Sequence, residues 1–142
     1  MKSRTAVFIG HRDYDFGSDA AIENAVIRLI RRGYSRFLCG GMGNFDIACA
    51  KTVRRLKTKY PHISLCLVLP WYEDFAEIDL PCDEMIRFIP EEELRPGVAI
   101  LARNRFMIDN AAAAICFVCK DRGGAYASWW YALVNALEIY NI

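Results

Sequence analysis

Short apolar runs alternate along this chain with stretches whose apolar residues recur at three- and four-residue spacing. That alternation constrains the fold more than any other feature. A strand followed by a helix followed by a strand is the pattern of a parallel sheet covered on both faces. Thr5 to Ile9 reads as the first strand. From Asp19 to Arg32, Ile22, Ala25, Val26, Leu29 and Ile30 fall on one helical stripe, with Ser18 or Asp19 as cap and Gly33 as stop. Arg36 to Gly40 is a second strand, and Phe45, Cys49, Val53 and Leu56 mark a second helix that stops before Pro61. Ile63 to Leu69 is apolar almost throughout, as expected of a strand covered on both sides.

The second half continues the pattern. Trp71 to Asp83 reads as irregular or a short helix, and Glu84 to Ile89 as a fourth strand. Glu91 to Leu94 fits a single turn, Arg95-Pro96-Gly97 a break, and Ile100 to Ala112 a helix. Ala114 to Cys119 is a fifth strand, Gly123-Gly124 opens a helix to about Leu137, and Glu138 to Ile142 is an edge strand. The expected fold is a Rossmann-like three-layer α/β/α sandwich on a mostly parallel sheet of five to six strands. With 142 residues and no repeat or linker, the chain reads as one domain over 1–142.

Charge narrows the partners. Eighteen basic and 17 acidic side chains leave a formal charge of +1. That balance argues against a nucleic-acid clamp and against a polybasic membrane anchor. The longest apolar run, Ala111 to Cys119, is far short of the roughly 20 residues of a membrane helix. A cytoplasmic location is expected. Six cysteines raise a metal or disulfide question. In Cys116-Phe117-Val118-Cys119, strand alternation would turn the two thiols to opposite faces. The cysteines are therefore expected to be free, mostly buried small hydrophobes, with no metal.

Ligands of open parallel sheets bind beyond the carboxyl ends of the strands. Four segments there carry glycine, arginine or both: Gly10-His11-Arg12, the Gly40–Asp46 loop, the segment reaching Arg103-Asn104-Arg105, and Arg122-Gly123-Gly124. Gly40-Gly41-Met42-Gly43 runs from a strand into a helix, where free N–H groups and close backbone approach favour a phosphate; a tight turn would also want glycine. Gly123-Gly124 repeats the arrangement. Neither the dinucleotide fingerprint nor a Walker loop fits, because Asp46 stands where a third glycine belongs and no Gly-Lys-Ser/Thr is present. Arg103 has no obvious surface partner and suits an anionic ligand, whereas Arg105 and Asp109 are spaced to pair. Asp46 fits a helix cap, a ribose ligand or a base. Trp71 is placed to cover a nucleobase. In the last helix, Tyr126, Trp130, Leu133 and Leu137 form the expected core stripe, with Trp129 turned elsewhere. That face packs on the sheet or on another subunit, and a homodimer is the oligomer to expect.

Together these segments resemble the SLOG superfamily, in its YpsA-like branch. Phe8-Ile9-Gly10-His11-Arg12 is similar to its TGHR-type opening, and Gly40-Gly41-Met42-Gly43 through Asp46 to its second, glycine-rich motif. Arg103-Asn104-Arg105-Phe106-Met107-Ile108-Asp109 resembles its RNR-aromatic stretch, and Gly123-Gly124 its later glycine pair. The resemblance implies a small nucleotide-type ligand, ADP-ribose-like, held by these residues, with no cofactor. Relatives in the superfamily include cytokinin-activating phosphoribohydrolases and DNA-processing proteins. An N-glycosidase acting on nucleoside monophosphates, and a single-strand DNA binder, are thus the alternatives. The phosphoribohydrolase pattern is interrupted here: Arg122 replaces its proline, Ala127 its threonine and Trp130 its glutamate. Asp46 and Asp109 are the carboxylates left as catalytic candidates.

Overall fold

A computed structural model describes residues 2–72, 80 and 82–142. A short 3-10 turn, Lys2–Arg4, leads into β1 (Thr5–Gly10). Then follow α1 (Asp19–Arg31), β2 (Arg36–Cys39), α2 (Asn44–Leu56), β3 (Ser64–Pro70) and β4 (Glu84–Phe88). The chain closes with α3 (Pro96–Asp109), β5 (Ala113–Phe117), α4 (Gly124–Val134) and β6 (Glu138–Asn141). The six strands form one sheet in the order β4-β3-β2-β1-β5-β6, and every pairing is parallel. The Rossmann-like fold expected from the strand–helix alternation is the fold observed.

Two apolar layers hold it. Alternate residues of the strands point to opposite faces, so Phe8, Phe37 and Leu65 pack with Ile22, Leu29, Phe45 and Val53 of α1 and α2. On the other face Val7, Leu38 and Val68 pack with Met107, Ile108 and Ala132 of α3 and α4. The crossover from β4 through α3 to β5 carries the chain past β1 to the far side of the sheet. Strand order therefore reverses between β1 and β5, and a crevice opens at their carboxyl ends.

Several boundaries differ from the sequence reading, among them the end of α3, at Asp109 rather than Ala112. The helix expected from Ile100 begins at Pro96, since proline at the first helical position brings a preset φ and lacks only an N–H that would go unpaired there. Residues 91–94 do not form a helical turn. Strand β5 ends at Phe117 rather than Cys119, so Cys116 is buried in the strand while Cys119 is exposed beyond it. All six cysteines are free. Helix α4 stops at Val134, three residues early, because Ala136 turns left-handed (φ 61°) and its N–H closes on the Leu133 carbonyl. The irregular segment expected over Trp71 to Asp83 falls largely outside the described residues.

The apolar register of α4 also differs. Its buried residues are Ser128 and Ala132, and Trp129 packs against the core. Trp130 and Leu133, expected inside, are exposed. Small residues on the inner face let the helix lie close to the sheet and turn the larger side chains outward.

Candidate functional site

A cleft of about 540 Å³ occupies the reversal point. Its walls are Gly10, His11, Arg12 and Asp13 after β1, and Lys120, Arg122, Gly123 and Gly124 after β5. Met42 and Asp46 enter from the second loop, and Arg103 and Asn104 from α3. Val7, Ile100, Met107 and Ile108 add an apolar floor. Four segments, the outermost more than a hundred residues apart, thus meet at one sheet edge. Gly40, Gly41 and Gly43 stand behind this wall rather than in it.

Asp109 departs from the expectation of a site carboxylate. Helix α3 lines the cleft from Ile100 to Ile108, and the Asp109 side chain, next in the chain, is not part of the wall. Its Oδ1 accepts the Tyr131 hydroxyl at 2.7 Å. Arg105, spaced to pair with Asp109, instead lies over the Tyr131 ring, 5.1 Å from its centroid. Trp71 also lies outside the cleft wall and packs edge-on against Tyr72.

Arg103 is buried at 3% exposure, and its guanidinium is largely spent on the protein. Nη1 donates to the carbonyls of Val68 (2.7 Å) and Gly40 (3.0 Å), and Nε donates to Asn104 Oδ1 (2.9 Å). One arginine so binds α3 to the carboxyl ends of two strands. Beside it lies the Asp46 carboxylate, whose Oδ2 accepts the Met42 N–H at 3.1 Å. Burial pushes the Asp46 carboxyl up to about 6, against the opposing pull of Arg103 and the Met42 amide.

The first glycine loop has correspondingly little amide left to offer. Met42 N–H goes to Asp46, and Asn44 N–H donates to the Arg12 carbonyl at 2.9 Å. Gly43 (φ 90°) is needed for that contact, because a Cβ there would sit 2.8 Å from Arg12 Cα. Gly10 serves packing in the same way, since a Cβ would meet the Phe45 ring at 2.2 Å. These glycines join β1 to α2, a role the residue pattern alone does not distinguish from phosphate binding.

The second glycine turn is open. Gly123 (φ 89°) and Gly124 have nothing within 4 Å of an added Cβ. The N-terminus of α4 has no side-chain cap hydrogen bond and no acidic residue in its first turn. Its unpaired N–H groups and dipole make a positive pole beside the cleft. Arg12 and Arg122 line the same cleft without an ion pair among the described residues, while Lys120 pairs with Asp13 at 2.6 Å. Asn104 Nδ2 donates to Ser128 Oγ at 3.1 Å and so joins α3 to α4.

His11 holds this loop in place. It is 7% exposed, and its Nε2 accepts the N–H groups of Cys119 (3.0 Å) and Lys120 (3.3 Å). Only a neutral imidazole protonated on Nδ1 can do this. Burial, with help from Lys120, lowers its pKa.

The molecule has a Rossmann-like α/β fold with a cleft at its topological switch point, mostly apolar in its lining and edged by basic side chains. Solved structures share that fold. DNA processing protein A (DprA) of Streptococcus pneumoniae matches with a TM-score of 0.73 and 14% identity over 99% of this chain and 50% of its own. DNA processing protein A of Helicobacter pylori, described for its single-stranded DNA binding mode, matches with a TM-score of 0.69 and 15% identity over 99% of this chain. The chain spans 65% of that protein's length. TM1055 matches with a TM-score of 0.65 and 12% identity over 96% of this chain and 72% of its own. At these identities the likeness is one of fold. No protein-family model and no curated protein matches the sequence. Among the described residues, no helix is long and apolar enough to cross a membrane. Nor does any group of three or more His, Cys, Asp or Glu among them suit a metal ion.

Proposed function

We propose that the chain binds a small phosphorylated nucleoside or nucleotide-derived ligand, ADP-ribose-like in chemistry, in the cleft between β1 and β5. The observation that carries this reading is the uncapped start of α4 at Gly123-Gly124, in the same cleft wall as Arg12 and Arg122. A phosphate there accepts hydrogen bonds from bare amides and meets two unpaired guanidinium groups. The apolar floor of Ile100, Met107 and Ile108 takes the less polar part of the ligand. Arg103 and Asp46 set the shape of the wall, and Asn104 fixes its junction with α4.

A titration of the protein with ADP-ribose, nucleoside monophosphates, dinucleotides and inorganic phosphate tests this by thermal shift. At 100 times its dissociation constant a ligand adds about 2.7 kcal/mol of stability. Arg12→Ala or Arg122→Ala is expected to weaken the response without lowering the melting temperature of the free protein. No response to any phosphorylated nucleoside would overturn the reading.

Asp46 favours a second reading, an N-glycosidase acting on nucleoside monophosphates. It is the carboxylate in the cleft wall whose protonation equilibrium is brought close to neutrality. Release of free base, lost in Asp46→Asn, would establish it. Steeply salt-dependent oligonucleotide binding would instead point to single-stranded DNA.

A further inference from the structure

From Gly123 to Leu137, fifteen residues carry no charged side chain. Yet this segment is a surface helix. Trp130 is 52% exposed, Leu133 44% and Val134 71%. Tyr126, Trp129 and Trp130 form a continuous stack, with ring centroids 5.9 and 5.7 Å apart. A surface helix normally turns a polar face to water, and one that is apolar all round is normally buried.

The flank of this face identifies what covers it. Helix α3 runs alongside α4, with Asn104 on Ser128 and with Arg105 and Asp109 both on Tyr131. Arg105 and Asp109 are exposed, of opposite charge, and about 6 Å apart along the axis. Consider a two-fold axis lying outside the exposed face of α4, in the plane of the contact, at the level of Tyr131 and perpendicular to the helix. It packs Trp130 and Val134 of two copies together around the small Ala127. It keeps both α3 helices on the same side and sets Arg105 opposite Asp109 of the partner subunit. It also opposes the two helix dipoles. A parallel pairing would put the α3 helices on opposite sides and forfeit both charge pairs.

We infer that a second copy of this chain covers α4, packed antiparallel about a two-fold axis with reciprocal Arg105–Asp109 ion pairs. The apolar face supplies affinity, and the reciprocal charges supply orientation.

Sedimentation equilibrium of the full chain tests this. The expected species is a dimer, and Val134→Glu is expected to yield a folded monomer with unchanged circular dichroism. Arg105→Glu is expected to raise the dimer dissociation constant about tenfold, a 1.4 kcal/mol effect, and the added Asp109→Lys to restore it. A monomeric wild type at high micromolar concentration overturns the proposal, and so does a dimer indifferent to Val134→Glu. Failure of the double charge swap to restore the dimer overturns the antiparallel arrangement.

Discussion

Arg103 donates from Nη1 to the carbonyl oxygen of Val68 at 2.7 Å, and through this bond α3 is tied to the carboxyl end of β3. The same nitrogen reaches Gly40, so two strand ends depend on one side chain. Arg103→Ala is expected to destabilise the fold by about 3–5 kcal/mol, the range for breaking a buried charge cluster. It strands two buried carbonyls and leaves Asp46 without its cation. Urea unfolding measures this directly, and a loss below 1 kcal/mol would show that the contacts carry little.

Asp46 makes stability depend on pH. Its folded pKa of about 6 stands above the ordinary 3.8. A raised carboxyl contributes stability that is fully present below the ordinary value and is lost as pH rises through the folded one. Asp46→Asn removes this dependence. Between pH 4 and pH 7 the wild type is expected to lose up to about 3 kcal/mol relative to the variant. Denaturant melts of both proteins across that range give the difference, and parallel curves would contradict it.

His11 titrates in the opposite sense. Its pKa is lowered, so its contribution is present above the ordinary 6.5 and lost as pH falls through the folded value. Protonation of Nε2 would remove the acceptor of the Cys119 and Lys120 amides. Hydrogen exchange at these two amides is expected to accelerate in acid before the β1 amides respond. Uniform protection across both segments would remove His11 from this role.

The glycines separate into two kinds. Gly10→Ala forces a methyl into the Phe45 ring and is expected to cost about 1–3 kcal/mol. At Gly124 an added methyl meets nothing and φ is not left-handed, so Gly124→Ala is expected to fall within about 0.5 kcal/mol of wild type. Chemical denaturation of the two variants distinguishes packing glycines from open ones.

Much of the fold was legible because strand and helix differ in period. Ile22, Val26 and Leu29 recur as a helix requires, and β3 is apolar beyond Ser64 because both of its faces are covered. Boundaries without a marker were less legible. No glycine announces the left-handed turn at Ala136, and Pro96, which reads as a break, opens a helix. Trp130 and Trp129 exchanged places because a helix bearing apolar residues on every side leaves its inward face undetermined by period alone.

By itself the sequence determined the alternation of elements, their parallel packing in two apolar layers, and the four segments that could meet at one edge. Those properties follow from local periodicity and from glycine at strand ends. Only the tertiary structure decided which of those residues face a common space. Arg103 finds Val68 on β3, and Asp109 finds Tyr131 on α4. A side chain's donors and acceptors are assigned by whatever the fold brings within about 3 Å of them. The first glycine loop was closed on Arg12 and Asp46 in this way, while the second kept its amides open.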